Sequence, residues 1–177
     1  MTAIDIRPAS AGDIAAIARI YAEAVKYGTA SFELQPPSEA EMARRQQILL
    51  AKNYPYVVAE RAGVIAGYAY AGPYRERPAY DWCVEDSIYI APEFHRQGIG
   101  RQLLERLVMD SEARGFRQML AVIGDTSNTA SAAVHAAAGF RLIGTFQSIG
   151  YKHGRWLDTV LMQRALGSGD AAPPRPL

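Results

Sequence analysis

Several side chains in this sequence have types and neighbours suited to chemistry. Glu85 stands just ahead of a short β-branched and aromatic run, Ser87-Ile88-Tyr89-Ile90, with Trp82, Val84 and Ile88 near enough in sequence to strip it of water. A desolvated carboxylate is raised towards neutrality and can take a proton from an ammonium group. The same residue also reads as a solvated glutamate at a strand start. Next comes His95-Arg96-Gln97-Gly98-Ile99-Gly100-Arg101, a turn with two glycines one residue apart. Glycine permits positive φ and close backbone approach, and the amides of such a turn can converge on an anion. A helix starting there adds free N–H groups and a positive dipole end, with Arg96 and Arg101 adding charge. A plain strand-to-helix connection with no ligand is the other reading. Arg75 and Arg77 offer guanidinium groups that hold oxyanions by paired hydrogen bonds, or serve only as a solvated surface. Tyr74 and Tyr80 beside them suit a pocket wall or sheet packing. His135, on a short alanine-rich stretch, is either a proton donor or a helix-surface histidine.

The glycine turn is neither of two better-known phosphate loops. A Walker loop needs Gly-Lys-Ser/Thr where Ile99-Gly100-Arg101 stands. A dinucleotide fingerprint needs a third glycine where Leu103 stands, and it belongs on the first strand of its fold. Cys83 is the one cysteine, so it can form neither an intramolecular disulfide nor a cysteine-rich zinc site. The three histidines lie far apart in the chain, and no metal is expected.

These residues need elements to hold them. Ile4-Asp5-Ile6-Arg7 alternates as a strand and Pro8 stops it. Asp13 sits at the start of a helix whose apolar stripe is Ile14, Ile17, Ala18, Ile20 and Tyr21. Ser38 with Glu41 predicts a capping box on a second helix reaching Leu50. Tyr56–Ala59 and Val64–Ala71 form a hairpin around Arg61-Ala62-Gly63. After the central strand, Leu103, Leu104, Leu107 and Val108 fall at helical spacing. Gln118–Ile123 is a buried strand, Asn128 opens a short helix ended by Gly139, and two further strands cover Phe140–Gly144 and Trp156–Met162. The order β-α-α-β-β-β-α-β-α-β-β argues for an α/β (α+β) fold with a mixed central sheet flanked by helices. A single domain over residues 1–166 is expected, with 167–177, rich in glycine, proline and small residues, as a disordered tail.

The 177 residues are 49% hydrophobic and 21% charged, with net charge +1, which gives no general attraction to nucleic acid or anionic membrane. No apolar run approaches the ~20 residues of a membrane span, and the first residues lack a secretory pattern. A cytoplasmic protein without a nucleic-acid or membrane partner is expected.

The turn His95-Arg96-Gln97-Gly98-Ile99-Gly100 resembles the Gln/Arg-x-x-Gly-x-Gly/Ala motif of the GNAT N-acetyltransferases, with His95 in the first position. Three further segments resemble the phosphinothricin and methionine sulfoximine/sulfone acetyltransferases of that superfamily. They are Ala71 to Glu85, Ala121-Val122-Ile123-Gly124, and Gly150 to Trp156. Similarity runs from about Ile4 to Arg164. The resemblance implies a GNAT fold in which the strand ending at Ile90 splays from the one starting at Gln118. Acetyl-CoA, as co-substrate, would then lie against Ile88, Tyr89 and Ile90, with its pyrophosphate on residues 95–101 and Asn128 on pantetheine. It further implies Glu85 as the base, His135 near the sulfur of the leaving CoA, and Phe32, Glu33, Tyr74, Arg75, Arg77 and Tyr80 around the acceptor. The implied reaction is direct acetyl transfer to the α-amine of phosphinothricin, methionine sulfoximine or methionine sulfone, by a homodimer. The alternatives are an acetyltransferase for another small amine or a non-catalytic acetyl-CoA-binding module.

Overall fold

In the computed structural model, which describes residues 3–174, eleven main elements follow the expected order. They are β1 (Ile4–Pro8), α1 (Ile14–Tyr27), α2 (Glu39–Ala51), β2 (Tyr56–Arg61), β3 (Val64–Pro73), β4 (Cys83–Ile90), α3 (Ile99–Ala113), β5 (Gln118–Gly124), α4 (Thr129–Ala137), β6 (Arg141–Lys152) and β7 (Arg155–Ala165). The strands form one sheet in the order β1-β2-β3-β4-β5-β7-β6. Only β4 and β5 run parallel; every other neighbouring pair is antiparallel.

The local chemistry explains the boundaries. Ala62 and Gly63, both left-handed at φ 51° and 79°, close the β2–β3 hairpin. Gly139 at φ 83° lies just past α4. The capping box on α2 is only half formed. The Ser38 hydroxyl accepts from the Glu41 amide at 3.2 Å, but the Glu41 carboxylate turns to Arg44 and Arg45. Asp13 gives α1 no side-chain cap; it bonds Ser10 and Arg7 instead. The last two strands extend well beyond the expected segments, because a two-residue turn at His153-Gly154 lets pairing start at Lys152 and Arg155.

Helices cover both faces of the sheet. Leu103, Leu104 and Leu107 of α3 are fully buried against Val57, Val84, Met119 and Ala121. On the opposite face, Ile17, Ile20 and Val25 of α1 pack against Val58 and Tyr68. The Arg7 guanidinium bridges Asp13 and Glu60 and pulls the Asp13 carboxyl down to about 2. Beyond β7, Leu166 is buried, and Arg117 donates to the carbonyls of Gly169 (2.7 Å) and Ala172 (2.6 Å). Residues 175–177 of the expected tail lie outside the described residues.

Candidate active site

Pairing of β4 with β5 runs from Cys83–Gln118 to Asp86–Ala121 and stops. Both strands go on: β4 stays paired with β3 as far as Ile90, and β5 with β7 as far as Gly124. The sheet therefore opens into a V between Ser87–Ile90 and Val122–Gly124, as expected. Unpaired backbone groups along such an edge are ready to bind an extended amide chain. The cleft is lined by Glu85, Ser87, Ile88 and Tyr89 on one side, Val122 to Gly124 on the other, and Asn128, Ser131 and His135 at α4.

Glu85 lies at the point where the strands part. Burial, with a smaller contribution from the charge of Asp86, pushes its carboxyl up to about 7. Val84 and Ile88 belong to the α3-side core, so two of the residues expected to dry Glu85 lie on the other side of β4. Glu85 pairs across the ladder with Gly72 and shares the face of Tyr70 and Tyr89. The Cys83 thiol is pushed up to about 11, chiefly by burial, which leaves it a poor nucleophile.

Asp86, next in the chain, has a different environment. Its Oδ2 lies 2.9 Å from His135 Nε2, and both side chains are buried. His135 Nδ1 donates to the Ser131 carbonyl at 2.8 Å. Burial alone would lower the imidazole pKa. The bond and charge of Asp86 and the Ser131 carbonyl outweigh it, and the net shift is upward. Both ring nitrogens thus face acceptors, the arrangement of an imidazolium paired with a carboxylate. His135 is no helix-surface residue, and neither nitrogen is free of a protein partner. Asp86 Oδ1 is buried without a partner among the described residues. Forty-nine residues separate the pair, so nothing local in the sequence pointed to it.

At the outer end of the V, Arg96 at φ 59° and Gly98 at φ 76° turn the chain into α3. No side chain caps that helix, so its first amides are available to an anion. Gly100 faces only Ile90, at 4.0 Å from where a Cβ would stand. Arg96, Gln97 and Gly98 are exposed. His95 Nε2 donates to the Ile90 carbonyl at 3.1 Å, Gln97 donates to Glu93, and Arg101 pairs with Glu105 at 2.7 Å. The backbone amides and Arg96 are therefore the groups open to phosphate. Asn128 caps α4, its Oδ1 accepting from the Ser131 amide at 3.3 Å.

The acceptor-side residues are split between two places. Phe32 and Glu33 lie on a loop fastened from two directions. Lys152 Nζ donates to the Ser31 carbonyl at 2.5 Å and His153 Nε2 to Gly28 at 3.1 Å. The Phe32 ring occupies the space that side chains would take at Gly150 and Gly124. Glu33 accepts from Tyr21 at 3.1 Å and Arg45 at 2.6 Å. Tyr74, Arg75, Arg77 and Tyr80 are elsewhere. Tyr74 and Tyr80 meet edge to face at 5.5 Å, Arg75 lies 5.1 Å from the Tyr74 ring centre, and both arginines are exposed. None of these four lines the cleft. Tyr21 and Arg45, which hold the loop, carried no sequence signal of their own beyond helical position, whereas Lys152 lies in the glycine-flanked segment Gly150 to Trp156 that carries the resemblance. Among the described residues, no group of histidine, cysteine, aspartate and glutamate could hold a metal ion, and no helix is long and apolar enough to cross a membrane.

Comparison with known proteins covers nearly the whole chain. Residues 17–140 match the model of the acetyltransferase (GNAT) family. A phosphinothricin N-acetyltransferase of Alcaligenes faecalis is 49% identical over 97% of this chain and 87% of its own. An L-methionine sulfoximine/L-methionine sulfone acetyltransferase of Pseudomonas paraeruginosa is 36% identical over 95% of this chain and 98% of its own. A GNAT-superfamily phosphinothricin acetyltransferase from Sinorhizobium meliloti, solved in complex with acetyl-CoA, superposes with a TM-score of 0.95. It is 50% identical, covering 99% of this chain and 94% of that one.

Proposed function

This chain belongs to the acetyltransferase (GNAT) family, and we propose that it transfers acetyl from acetyl-CoA to the α-amine of a small amino acid or analogue. Phosphinothricin, methionine sulfoximine and methionine sulfone are the first acceptors to consider, because the relatives carry those names. The observation that supports the reading best is Glu85, a dried carboxyl near neutral pKa at the mouth of an opened parallel strand pair.

Acetyl-CoA supplies an acetyl thioester. The free edges of Ser87–Ile90 would hold its arm, and the uncapped amides of α3 with Arg96 its pyrophosphate. Glu85 takes a proton from the acceptor ammonium, directly or through one water. The freed nitrogen forms the new C–N bond as the C–S bond breaks, and the second proton it sheds on becoming an amide passes to the departing sulfur or to water. The sulfur leaves with the electron pair of the broken bond, near the cationic ring of His135. With both nitrogens of that ring engaged, its contribution is local positive charge and a fixed cleft wall. A base of matched pKa contributes about 10²–10⁴-fold.

The reading includes a cytoplasmic homodimer. Support comes from edge strand β6, where Leu142, Phe146, Ile149 and Tyr151 are more than half exposed, beside Trp156 of β7. Light scattering on the purified chain tests the dimer.

Release of CoA thiol across a panel of amines tests the function. Saturable turnover of amino-acid amines is the expected result. Acetyl-CoA binding with no turnover of any amine would replace the reading with a binding module.

A further inference from the structure

Lys152 is the only buried lysine, 4% exposed. Its side chain reaches from the end of β6 to the loop after α1, where Nζ donates to the Ser31 carbonyl at 2.5 Å. Among the described residues no carboxylate forms an ion pair with it; Glu33, whose charge is felt there, is bonded to Arg45. Burial lowers the pKa of the ammonium. A buried cation without a counter-ion is costly, and a methionine would fill similar space without that cost. What the charge adds is a strong bond to one backbone carbonyl.

Ser31 is a junction in the loop. Its hydroxyl meets the Tyr21 hydroxyl at 2.8 Å and accepts from the Glu33 amide at 3.2 Å. On both sides of Ser31 the loop lies against the cleft. Ala30 lines it beside Glu85 and Gly124. The Thr29 carbonyl and the Phe32 ring fill the space where Gly124, on the β5 wall, would carry a side chain, and the same ring fills that space at Gly150. Gly150 is two residues from Lys152, on the same face of β6. The loop leaves α1, which covers the tyrosine side of the sheet, and Glu85 faces that side. The uncapped start of α3 belongs to the other side. An amine that gives its proton to Glu85 therefore arrives along the loop and away from the phosphate-binding turn.

We propose that Lys152 is a positioning residue: by holding Ser31 it fixes the loop that walls the amine side of the cleft, and so sets the size of the amine that reaches Glu85. The proposal rests on the acetyl-transfer reading and gives that reading a determinant of specificity.

The test is Lys152→Met in the full-length protein. Gly150→Ala is an independent disturbance of the same loop, because its methyl group enters the space of the Phe32 ring. Thiol release is measured with amino acids of increasing size, from alanine through methionine sulfone to tryptophan, and hydrogen exchange is followed over residues 28–34. Lys152→Met should raise the acceptor KM about tenfold, with kcat and acetyl-CoA affinity little changed. The kcat/KM ratio between the best acceptor and tryptophan should narrow by a similar factor, and Gly150→Ala should move both quantities in the same direction. Exchange over residues 28–34 should quicken while the urea midpoint holds, because the buried charge leaves together with its bond. A lowered midpoint with an unchanged size preference would make Lys152 merely structural and overturn the proposal, as would unchanged exchange in the loop. Wild-type protein that binds acetyl-CoA and acetylates none of these amines would remove the acetyl-transfer reading, and the proposal with it.

Discussion

Glu85 and Asp86 are adjacent carboxylates on one strand, and their environments differ completely. Glu85 faces the tyrosine side of the sheet, near the opening of the strands, with no cation bonded to it, and its pKa rises to about 7. Asp86 reaches the opposite side, where His135 meets it at 2.9 Å inside the protein. A strand alternates its side chains between faces, so a single step along β4 separates a proton acceptor from a structural ion pair. Environment, more than residue type, sets the two roles.

Substitution at each site sharpens that contrast. Glu85→Gln should lower kcat by about 10²–10⁴-fold with acetyl-CoA affinity nearly unchanged; an unaltered kcat would remove Glu85 from the role of base. His135→Ala should act first on the fold, and it also removes the positive charge beside the leaving sulfur. It leaves the buried Asp86 charge uncompensated, at a cost of about 3–5 kcal/mol in urea unfolding. If acetyl transfer fell while the unfolding midpoint stayed in place, the pair would be chemical and not structural.

Glu85 should also make activity and stability oppose each other. Its folded pKa, about 7, lies above the unfolded value of 4.5, so the folded state holds the proton more tightly. Stability from this group is full below pH 4.5 and declines as pH rises to about 7, while kcat/KM rises over the same approach to neutrality. Glu85→Gln should abolish the activity limb and stabilise the protein at pH 8 by on the order of 2 kcal/mol. Asp13 gives the reverse sign on a smaller scale. Held down to about 2 by Arg7, it contributes stability above pH 4 that is lost on acidification towards pH 2. Asp13→Asn should flatten that loss, at about 1 kcal/mol at neutral pH in thermal or urea melts.

The fold was legible in the sequence because punctuation and periodicity agreed. Gly63, Gly115 and Gly139, the spacing of Leu103 to Val108, and the short strands around them mark all eleven elements in order. Strand ends were less legible. The extra length of β6 was hidden because its exposed apolar residues give no inward-outward pattern and its register with β7 shifts between Phe146 and Gly150. In the site, Glu85 and the glycine turn could be identified from their immediate neighbours. The His135–Asp86 pair and the Lys152–Ser31 contact join residues 49 and 121 apart, a distance no local pattern spans. Arg75 and Arg77 read by type as solvated surface, and only the resemblance placed them beside the acceptor; they are exposed and are not among the residues lining the cleft.

The forked sheet also bears on how the molecule opens. Its two halves, β1–β4 and β5–β7, share a ladder of only four residue pairs. The amides of Ser87–Ile90 on the side facing β5 lack the partner strand that would shield them from exchange with solvent. A pantetheine arm lying in the fork would act as the missing strand and join the two halves. Acetyl-CoA should therefore slow hydrogen exchange across the outer half of β4 and the start of α3, and bring the halves into a single cooperative unit. In this sense the co-substrate completes the sheet, and protein without it should retain a seam along which it can breathe.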